Sequence, residues 1–345
     1  MVHFDTDYMA GAHPAVLSRL VETNSERTTG YCSDAHCARA KKLILDAFGI
    51  PEGEVFFLEG GTQTNATVID RLIGRGDGVI AADTAHINVH EAGAVENDGH
   101  KVLTVPGRDG KICAGQIEEL MNDFNADGSA EHMVRPAMVY ISYPTELGTL
   151  YSKDELKEIY GVCRANDLPL YIDGARLAYG LAAAEGELSA ADLASLCDVF
   201  YIGGTKCGTL FGEAVVTKRP QLLPRFISHV KRHGALMAKG RLLGVQFEAL
   251  FDDGLYFEIG RYGVRLARRL KEGLLARGIR MLVDSPTNQQ FFELPNSVID
   301  RLREHVTFEL WGIRGDKETA VRFVTDWSST EADVDHLLTH LSAIL

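Results

Sequence analysis

The fold of this chain is decided by the segment Leu170–Glu213, which reads LYIDGARLAYGLAAAEGELSAADLASLCDVFYIGGTKCGTLFGE. Its first apolar run ends at Asp173 and is followed by a glycine, a pattern that predicts a buried strand delivering a carboxylate to a loop. Its second apolar run covers Asp198–Ile202 and leads through a glycine pair to Thr205 and Lys206. The segment therefore predicts two buried strands, one ending in an acid and the other in an amine.

The combination of Asp173 and Lys206 indicates a cofactor site. A lysine enclosed by apolar segments loses its charge by desolvation, and it can then attack a carbonyl carbon as a nucleophile. Pyridoxal 5'-phosphate is an aldehyde that requires a lysine for its Schiff base, an acid that keeps its ring nitrogen protonated, and donors for its phosphate. We expect Lys206 and Asp173 to meet the first two requirements.

We assign the phosphate to a glycine-rich turn at Glu59–Asn65, EGGTQTN, which lies between a predicted strand at Glu54–Leu58 and a predicted helix. Gly61 allows the backbone to approach an anion, the helix start offers free N–H groups, and Thr62 adds a hydroxyl. The turn lacks the Gly-Lys-Ser/Thr ending of a nucleotide P-loop. Its assignment therefore depends on the acid and the lysine elsewhere in the chain.

Strand and helix patterns alternate from Glu54 to Thr217, which is typical of a mostly parallel sheet covered by helices. Such a sheet places its ligands at the carboxyl ends of its strands. We therefore predict an α/β domain at residues 1–250, which includes an N-terminal arm, and a smaller α+β domain at residues 251–345. Residues that follow strand ends in the first domain are Gly61, His86, Glu146, Asp173 and Lys206.

Two basic features each have two possible roles. A predicted helix at Phe226–Leu250 begins with a basic stretch that includes Lys231, which is either a solvated face or a contact to a phosphate. Arg322 interrupts an apolar strand in the second domain. It either forms a structural salt bridge or binds the carboxylate of a substrate through two parallel hydrogen bonds.

The composition indicates a soluble globular protein with a small-molecule ligand. Hydrophobic residues make up 46% and charged residues 24% of the 345 positions. With 35 basic and 48 acidic residues the net charge is −13, so no nucleic-acid partner is expected. Six cysteines without a signal peptide or a long apolar span predict free thiols, a cytoplasmic location and no membrane partner.

No metal site is expected. Cys32 and Cys37 have a spacing that matches no common zinc pattern, and no second pair follows them. His86, His90 and Glu91 do not form the HExxH pattern, and no further metal ligand is evident beside the two histidines. A flat imidazole ring over a flat cofactor ring is the better use of His86.

Five motifs occur in order along the chain: EGGTQTN, AHINVHEAGA, YIDGARLA, YIGGTKCG and VRFVTDW. Together they resemble the threonine aldolase family of fold-type-I pyridoxal phosphate enzymes, over nearly the whole chain. The opening DYMAGAHP and the segment GALMAKGRLLGVQFE are most similar to a trypanosomatid-type branch of that family. The resemblance implies an aspartate aminotransferase-like fold and a homodimer or homotetramer with shared active sites.

The resemblance also implies roles for individual residues. It makes Lys206 the Schiff-base lysine, Asp173 the partner of the pyridinium nitrogen, and His86 the residue stacked on the ring. The implied cofactor-binding residues are Gly61, Thr62, His86, Asp173, Arg176, Thr205, Lys206 and, from a neighbouring subunit, Lys231. The implied contacts to the substrate are Arg176 and Arg322 at its carboxylate and Thr6 in the place of a serine.

One segment departs from the family pattern. The common bacterial form has a histidine near the substrate hydroxyl, in a Thr-His-Asn-Gly segment, and Glu146 takes its place here. Cleavage of a Cα–Cβ bond requires the β-hydroxyl to lose its proton as the bond breaks. The candidates for the proton acceptor are Glu146, His90, His86 and a bound water.

The resemblance implies a lyase that cleaves the Cα–Cβ bond of a β-hydroxy amino acid, converting L-threonine or L-allo-threonine to glycine and acetaldehyde. The same residues fit β-elimination or transamination, because these reactions differ only in which Cα bond lies perpendicular to the cofactor ring and where the base sits. A noncatalytic binding protein with this fold is the alternative from another class. The preferred amino acid, the stereochemistry at Cβ and the choice between two and four subunits stay open.

Overall fold

A seven-stranded sheet and a four-stranded sheet organise the computed structural model, which describes residues 1–345. The strands are β1 Val2–His3, β2 Glu54–Leu58, β3 Gly78–Ala82, β4 Lys101–Val105, β5 Pro136–Ser142, β6 Leu170–Asp173, β7 Val199–Gly203, β8 Glu213–Thr217, β9 Arg280–Val283, β10 Gln289–Pro295, β11 Val306–Thr307, β12 Glu309–Leu310 and β13 Glu318–Val324. The helices are α1 Pro14–Glu22, α2 Ala35–Ala47, α3 Gly61–Leu72, α4 His86–Val89, α5 Ala94–Asn97, α6 Ala114–Ala126, α7 Lys153–Ala165, α8 Leu177–Ala183, α9 Ala190–Ser195, α10 Phe226–Arg232, α11 Arg241–Phe251, α12 Leu255–Leu275, α13 Asn296–Leu302 and α14 Glu331–Ile344.

The large sheet has the strand order β2-β8-β7-β6-β5-β3-β4, and β8 alone runs antiparallel to its neighbours. This arrangement confirms the predicted mostly parallel sheet. Strands β5, β6 and β7 are buried along their whole length, which explains why they read as continuous apolar runs rather than as alternating patterns. Because these strands are parallel, their carboxyl ends meet at one edge of the sheet.

The small sheet is antiparallel, in the order β12-β13-β10-β9, and it has an apolar core of its own. Helix α12 spans both cores, since Ile259 packs in the large core and Leu270 in the small one. The N-terminal arm also belongs to the small core: β1 pairs with β11, and Phe4 is buried beside Phe323. The arm then crosses to the large sheet, where the His13 N–H donates to the Gly208 carbonyl.

The prediction of a single helix at Phe226–Leu250 is wrong, because the helix is interrupted between the end of α10 at Arg232 and the start of α11 at Arg241. Gly234 has a φ of +76°, a left-handed conformation that ends α10. At Gly240 a Cβ atom would lie 2.7 Å from the Cys32 backbone nitrogen. The break therefore lets the start of α11 pack directly against the segment before α2.

All six cysteines are free, as predicted. None of the helices combines the length and the apolar character needed to cross a membrane.

Candidate active site

A cavity of about 340 Å³ opens at the carboxyl ends of β2, β5, β6 and β7. It brings together residues that are far apart in the sequence, as expected for the edge of a parallel sheet. The residues of the predicted site that line it are Gly61, Thr62, His86, Glu146, Asp173, Arg176, Thr205 and Lys206.

Asp173 ends β6 and is 4% exposed. Its Oδ2 accepts hydrogen bonds from the Tyr140 hydroxyl at 2.6 Å and the Asn65 amide at 2.9 Å, and its Oδ1 accepts one from the Ala175 N–H at 2.9 Å. Burial alone raises the pKa of a carboxyl group, but nearby His86 and these hydrogen bonds outweigh it and hold the pKa of Asp173 below its usual value. The carboxylate is therefore ionised, and all its hydrogen bonds come from neutral donors.

Lys206 follows β7 and shares the cavity with Asp173. Burial, together with repulsion from Arg176, lowers the pKa of its amine. The Nζ atom lies 5.9 Å from the centre of the Tyr8 ring, which comes from the N-terminal arm. A lysine with a lowered pKa is the nucleophile required for a Schiff base.

The stacking candidate His86 belongs to a hydrogen-bonded chain that reaches Asp173. Its Nδ1 lies 2.7 Å from Glu91 Oε1, and the Asn65 amide donates to this same oxygen at 2.7 Å as well as to Asp173. Burial opposes the charged imidazole, yet the hydrogen bond to Glu91 and the attraction of Asp173 raise the pKa of His86. Sequence reasoning missed Asn65 and Glu91, although both lie inside the quoted motifs EGGTQTN and AHINVHEAGA.

Glu146 follows β5 and faces the cavity. Its Oε1 accepts hydrogen bonds from the Ser142 hydroxyl at 2.6 Å and from the His86 backbone N–H at 3.0 Å. Burial raises the pKa of Glu146 despite these hydrogen bonds. The second carboxylate oxygen forms no hydrogen bond with another side chain.

The glycine-rich turn enters the cavity at the start of α3, where Gly60 is the N-cap. The first N–H groups of a helix have no partner inside it, so they are free to bind an anion. A Cβ atom at Gly61 would lie 3.2 Å from the Tyr201 hydroxyl, which shows how closely the turn packs on β7.

Arg176 is held by the arm rather than left open. Its Nε and Nη2 donate to the two oxygens of Asp7 at 2.6 and 2.9 Å, and Asn288, the residue before β10, donates to Asp7 at 3.0 Å. Thr6 lines a different cavity, with Val324 among its neighbours. A substrate contact for Thr6 therefore stays a prediction.

Three further predicted residues lie outside the cavity in the single chain. Arg322 is buried on β13, donates to Gln289 at 2.9 Å and to Glu309, and stacks on Trp311. His90 is exposed, with its ring centre 5.6 Å from that of His86. Lys231 is exposed on α10, where its amine lies 5.0 Å from the centre of the Tyr31 ring.

Comparison with known proteins places this geometry in a family. The family model for beta-eliminating lyases matches residues 3–308. The chain belongs to the beta-eliminating lyase family. Within related proteins, a low specificity L-threonine aldolase from Pseudomonas aeruginosa is 30% identical over 94% of this chain and 93% of its own length. Another from a Pseudomonas strain is 28% identical over 99% and 97%.

Solved structures agree with this family assignment. A threonine aldolase from Leishmania major is 40% identical, covers 99% of both chains and superposes with a TM-score of 0.96. An aspartate aminotransferase from Thermus thermophilus, at 17% identity and a TM-score of 0.69, shares the fold. These similarities confirm the predicted threonine aldolase resemblance, the fold type, the lyase class and pyridoxal phosphate as the cofactor.

The residues in the cavity fit that cofactor. Asp173 is a buried anion that lacks a lysine or arginine partner among its hydrogen bonds, and a pyridinium N–H meets this need. Lys206 and the start of α3 line the same cavity, so an amine and a phosphate-binding turn face one space. The chain thus provides the three groups that pyridoxal phosphate requires within the family.

Proposed function

We propose that this chain cleaves the Cα–Cβ bond of a β-hydroxy amino acid and converts L-threonine or L-allo-threonine to glycine and acetaldehyde. The observation that carries this proposal is the meeting of Lys206, Asp173 and Glu146 in one cavity. The L-threonine aldolase activity of relatives that match nearly the whole chain supports it.

Pyridoxal phosphate, when bound, supplies an electron sink for the pair released from the broken bond. Asp173 would hold the proton on the ring nitrogen, because it is ionised and its hydrogen bonds come from neutral groups. Lys206 would carry the cofactor, and the turn at Gly61 and Thr62 would bind its phosphate. His86 would cover the ring.

The proton of the β-hydroxyl needs an acceptor, and Glu146 is the best placed of the candidates. Its raised pKa makes it a stronger base than an ordinary glutamate while leaving it ionised above that pKa. His86 is less suitable, because Glu91 occupies its Nδ1 and stabilises the protonated ring. His90 is exposed and lies outside the cavity.

Arg322 is the proposed anchor for the substrate carboxylate: it does not line the cavity of the single chain, but its charge interacts with Arg176 of the cavity wall. The Nε of Arg322 is buried without a hydrogen-bond partner. In Arg176, by contrast, Nε and Nη2 already donate to the two oxygens of Asp7. An arginine with a free buried donor is suited to a carboxylate ligand. Arg176 holds the arm beside Lys206 through Asp7, and as a residue of the cavity wall it remains a proposed contact to the cofactor and to the substrate carboxylate.

The assembly is proposed to be a homodimer or homotetramer in which Lys231 reaches the phosphate site of a neighbouring subunit. The exposure of Lys231 in the single chain leaves it free for this contact. Measurement of the molar mass in solution tests the assembly.

The boundary between the two domains is proposed to lie near residue 250. Helix α12 begins at Leu255, and its later residues pack in the small core.

The function is tested by incubating purified holoenzyme with threonine, allo-threonine, serine and a keto acid, and identifying the products. We expect glycine and acetaldehyde in equal amounts. Pyruvate from serine would favour β-elimination, and a new amino acid from the keto acid would favour transamination. In Lys206→Ala we expect loss of both turnover and the visible absorbance of the bound cofactor, so an unchanged spectrum and rate would overturn the assignment.

A further inference from the structure

Arg322, the proposed anchor of the substrate carboxylate, has a carboxylate partner of its own in the free chain. Glu309 lies directly opposite it on β12, the edge strand of the small sheet. Residues that face each other across antiparallel strands project from the same face of the sheet, so their side chains meet. The carboxylate of Glu309 pairs with Nη2 of Arg322. The side chain of Glu309 is 44% exposed and that of Arg322 only 8%, so the acid reaches the arginine from the solvent side.

The guanidinium group of Arg322 has one edge left for a ligand. Its Nη1 donates to Gln289 Oε1 at 2.9 Å, and its central carbon lies 5.0 Å from the centre of the Trp311 ring. Its Nε is buried and has no hydrogen-bond partner. The edge formed by Nε and Nη2 is therefore half occupied, because Glu309 holds one nitrogen and the other is empty.

Two other arginines of this chain show how a carboxylate binds to such an edge. Arg176 donates to both oxygens of Asp7 through Nε and Nη2, at 2.6 and 2.9 Å. Arg135 donates to both oxygens of Asp77 through the same two nitrogens, at 3.0 and 2.7 Å. A bidentate pair of this kind is stronger and more directional than a single charge-assisted hydrogen bond. A ligand carboxylate that binds Arg322 in the same way needs Nη2, so the present partner of that nitrogen must release it.

The charges around the two arginines of this region balance in the free chain. Arg176 and Arg322 act on each other electrostatically. Their carboxylate partners are Asp7 and Glu309, respectively. A substrate carboxylate adds a third anion, and the excess of negative charge is removed if one of the two partners moves into water. Asp7 is 1% exposed and is held at both oxygens, whereas Glu309 is held at one oxygen and is half exposed, so Glu309 is the partner that can leave.

We propose that Glu309 occupies Arg322 in the free enzyme, is displaced by the carboxylate of the amino acid substrate, and thereby sets how tightly that carboxylate binds. This inference rests on the proposed function, because it concerns the same carboxylate anchor. On binding, the substrate takes the edge formed by Nε and Nη2, and the side chain of Glu309 turns into solvent. Gln289 and Trp311 hold the guanidinium group in place while its partners exchange.

The experiment measures the dissociation constants of glycine and of 2-aminoethanol with the holoenzyme, from the change in the visible spectrum of the bound cofactor. Both ligands have the amine, but only glycine has the carboxylate, so the ratio of the two constants isolates the carboxylate contact. Glu309→Gln keeps the size of the side chain and removes its charge. Glu318→Gln is the matched control, because Glu318 lies about 13 Å along β13 from Arg322 and pairs with the exposed Arg280.

We expect Glu309→Gln to bind glycine roughly two- to tenfold more tightly than the wild type, since a neutral amide competes less well for the arginine. The affinity for 2-aminoethanol stays the same, and KM for threonine falls while kcat remains within a few-fold of the wild type. Glu318→Gln leaves both dissociation constants unchanged. Equal or weaker binding of glycine in Glu309→Gln would mean that Glu309 only orients Arg322, and it would overturn the proposal.

A double-mutant cycle with Arg322→Gln separates this inference from the anchor on which it rests. Arg322→Gln should weaken glycine binding by roughly 10- to 100-fold, and Glu309→Gln should then have no further effect. If Glu309→Gln tightens glycine binding equally in both backgrounds, Glu309 does not act through Arg322, and the displacement is refuted while the anchor stands. Unchanged glycine binding in Arg322→Gln alone would instead refute the anchor of the proposed function, and the displacement with it.

Discussion

Replacement of Glu146 by glutamine gives the sharpest test of the proposed chemistry. The amide oxygen of the introduced glutamine can still accept from Ser142 and from the His86 N–H, so the local fold is retained. What is lost is the free carboxylate oxygen that would take the proton of the β-hydroxyl. General base catalysis contributes roughly 10²–10⁴ in rate, which corresponds to about 3–5 kcal/mol in the activation free energy.

We therefore expect kcat for threonine cleavage to fall by roughly 10²–10⁴ in Glu146→Gln, with little change in KM or in the visible spectrum of the bound cofactor. The assay couples acetaldehyde to its enzymatic reduction and follows the loss of NADH absorbance. The pH profile gives a second readout. The wild-type kcat should fall as the pH drops through the raised pKa of Glu146, because protonation removes the base, and this acidic limb should disappear in the variant.

His90→Gln is the matched control, since His90 is exposed near the same cavity but lies outside its wall. We expect its kcat to stay within a few-fold of the wild type. The reasoning is refuted if Glu146→Gln keeps its rate and its acidic limb. It is equally refuted if His90→Gln suffers the larger loss, which would transfer the role of proton acceptor to the histidine.

Two further substitutions test the supports of the site. Asp7→Asn removes the charge that pairs with Arg176, and breaking a buried pair costs roughly 3–5 kcal/mol in unfolding free energy, which chemical denaturation measures. Arg176 and Lys206 hold the pKa of Asp7 below its usual value against the effect of burial. The stability from this pair is therefore present above about pH 4 and is lost as the pH falls further. The unfolding free energy of the variant should accordingly depend less on pH in the acidic range. Asp5→Asn in the same arm should change stability by less than about 1 kcal/mol, and an equal loss in both variants would contradict the assignment. Asp173→Asn should lower kcat by roughly 10²–10³. It should also lower the pKa of His86, measured by NMR, since Asp173 stabilises the protonated imidazole ring. An unchanged His86 titration would count against this electrostatic interaction between Asp173 and His86.

Local patterns in the sequence were enough to predict the sheet and the two residues at its centre. The apolar runs before Asp173 and Lys206 became β6 and β7, and the predicted strand at Glu54–Leu58 has the same bounds in the structure. These predictions succeeded because a buried strand needs a continuous apolar run and a glycine-containing turn, and both are properties of neighbouring residues. The motifs also sufficed to indicate the family and its cofactor.

Contacts between distant segments could not be predicted in the same way. Asn65 and Asp173 are 108 residues apart in sequence, and Asp7 and Arg176 are 169 apart. No periodicity links such positions, so the pairing of Asp7 with Arg176 became visible only when the arm was placed against the large sheet. The same holds for the break in the helix predicted at Phe226–Leu250, which depends on the close approach of Gly240 to Cys32.

The sequence by itself determined which strands form, where they end, and that an acid and a lysine stand at those ends. The tertiary structure alone decided the protonation state of each ionisable side chain at that edge of the sheet. Glu213 is an ordinary residue in a short strand, yet the antiparallel direction of β8 brings it to the edge where the parallel strands end. There burial and the nearby charges set its protonation, and these depend on distances through space that residue order does not specify.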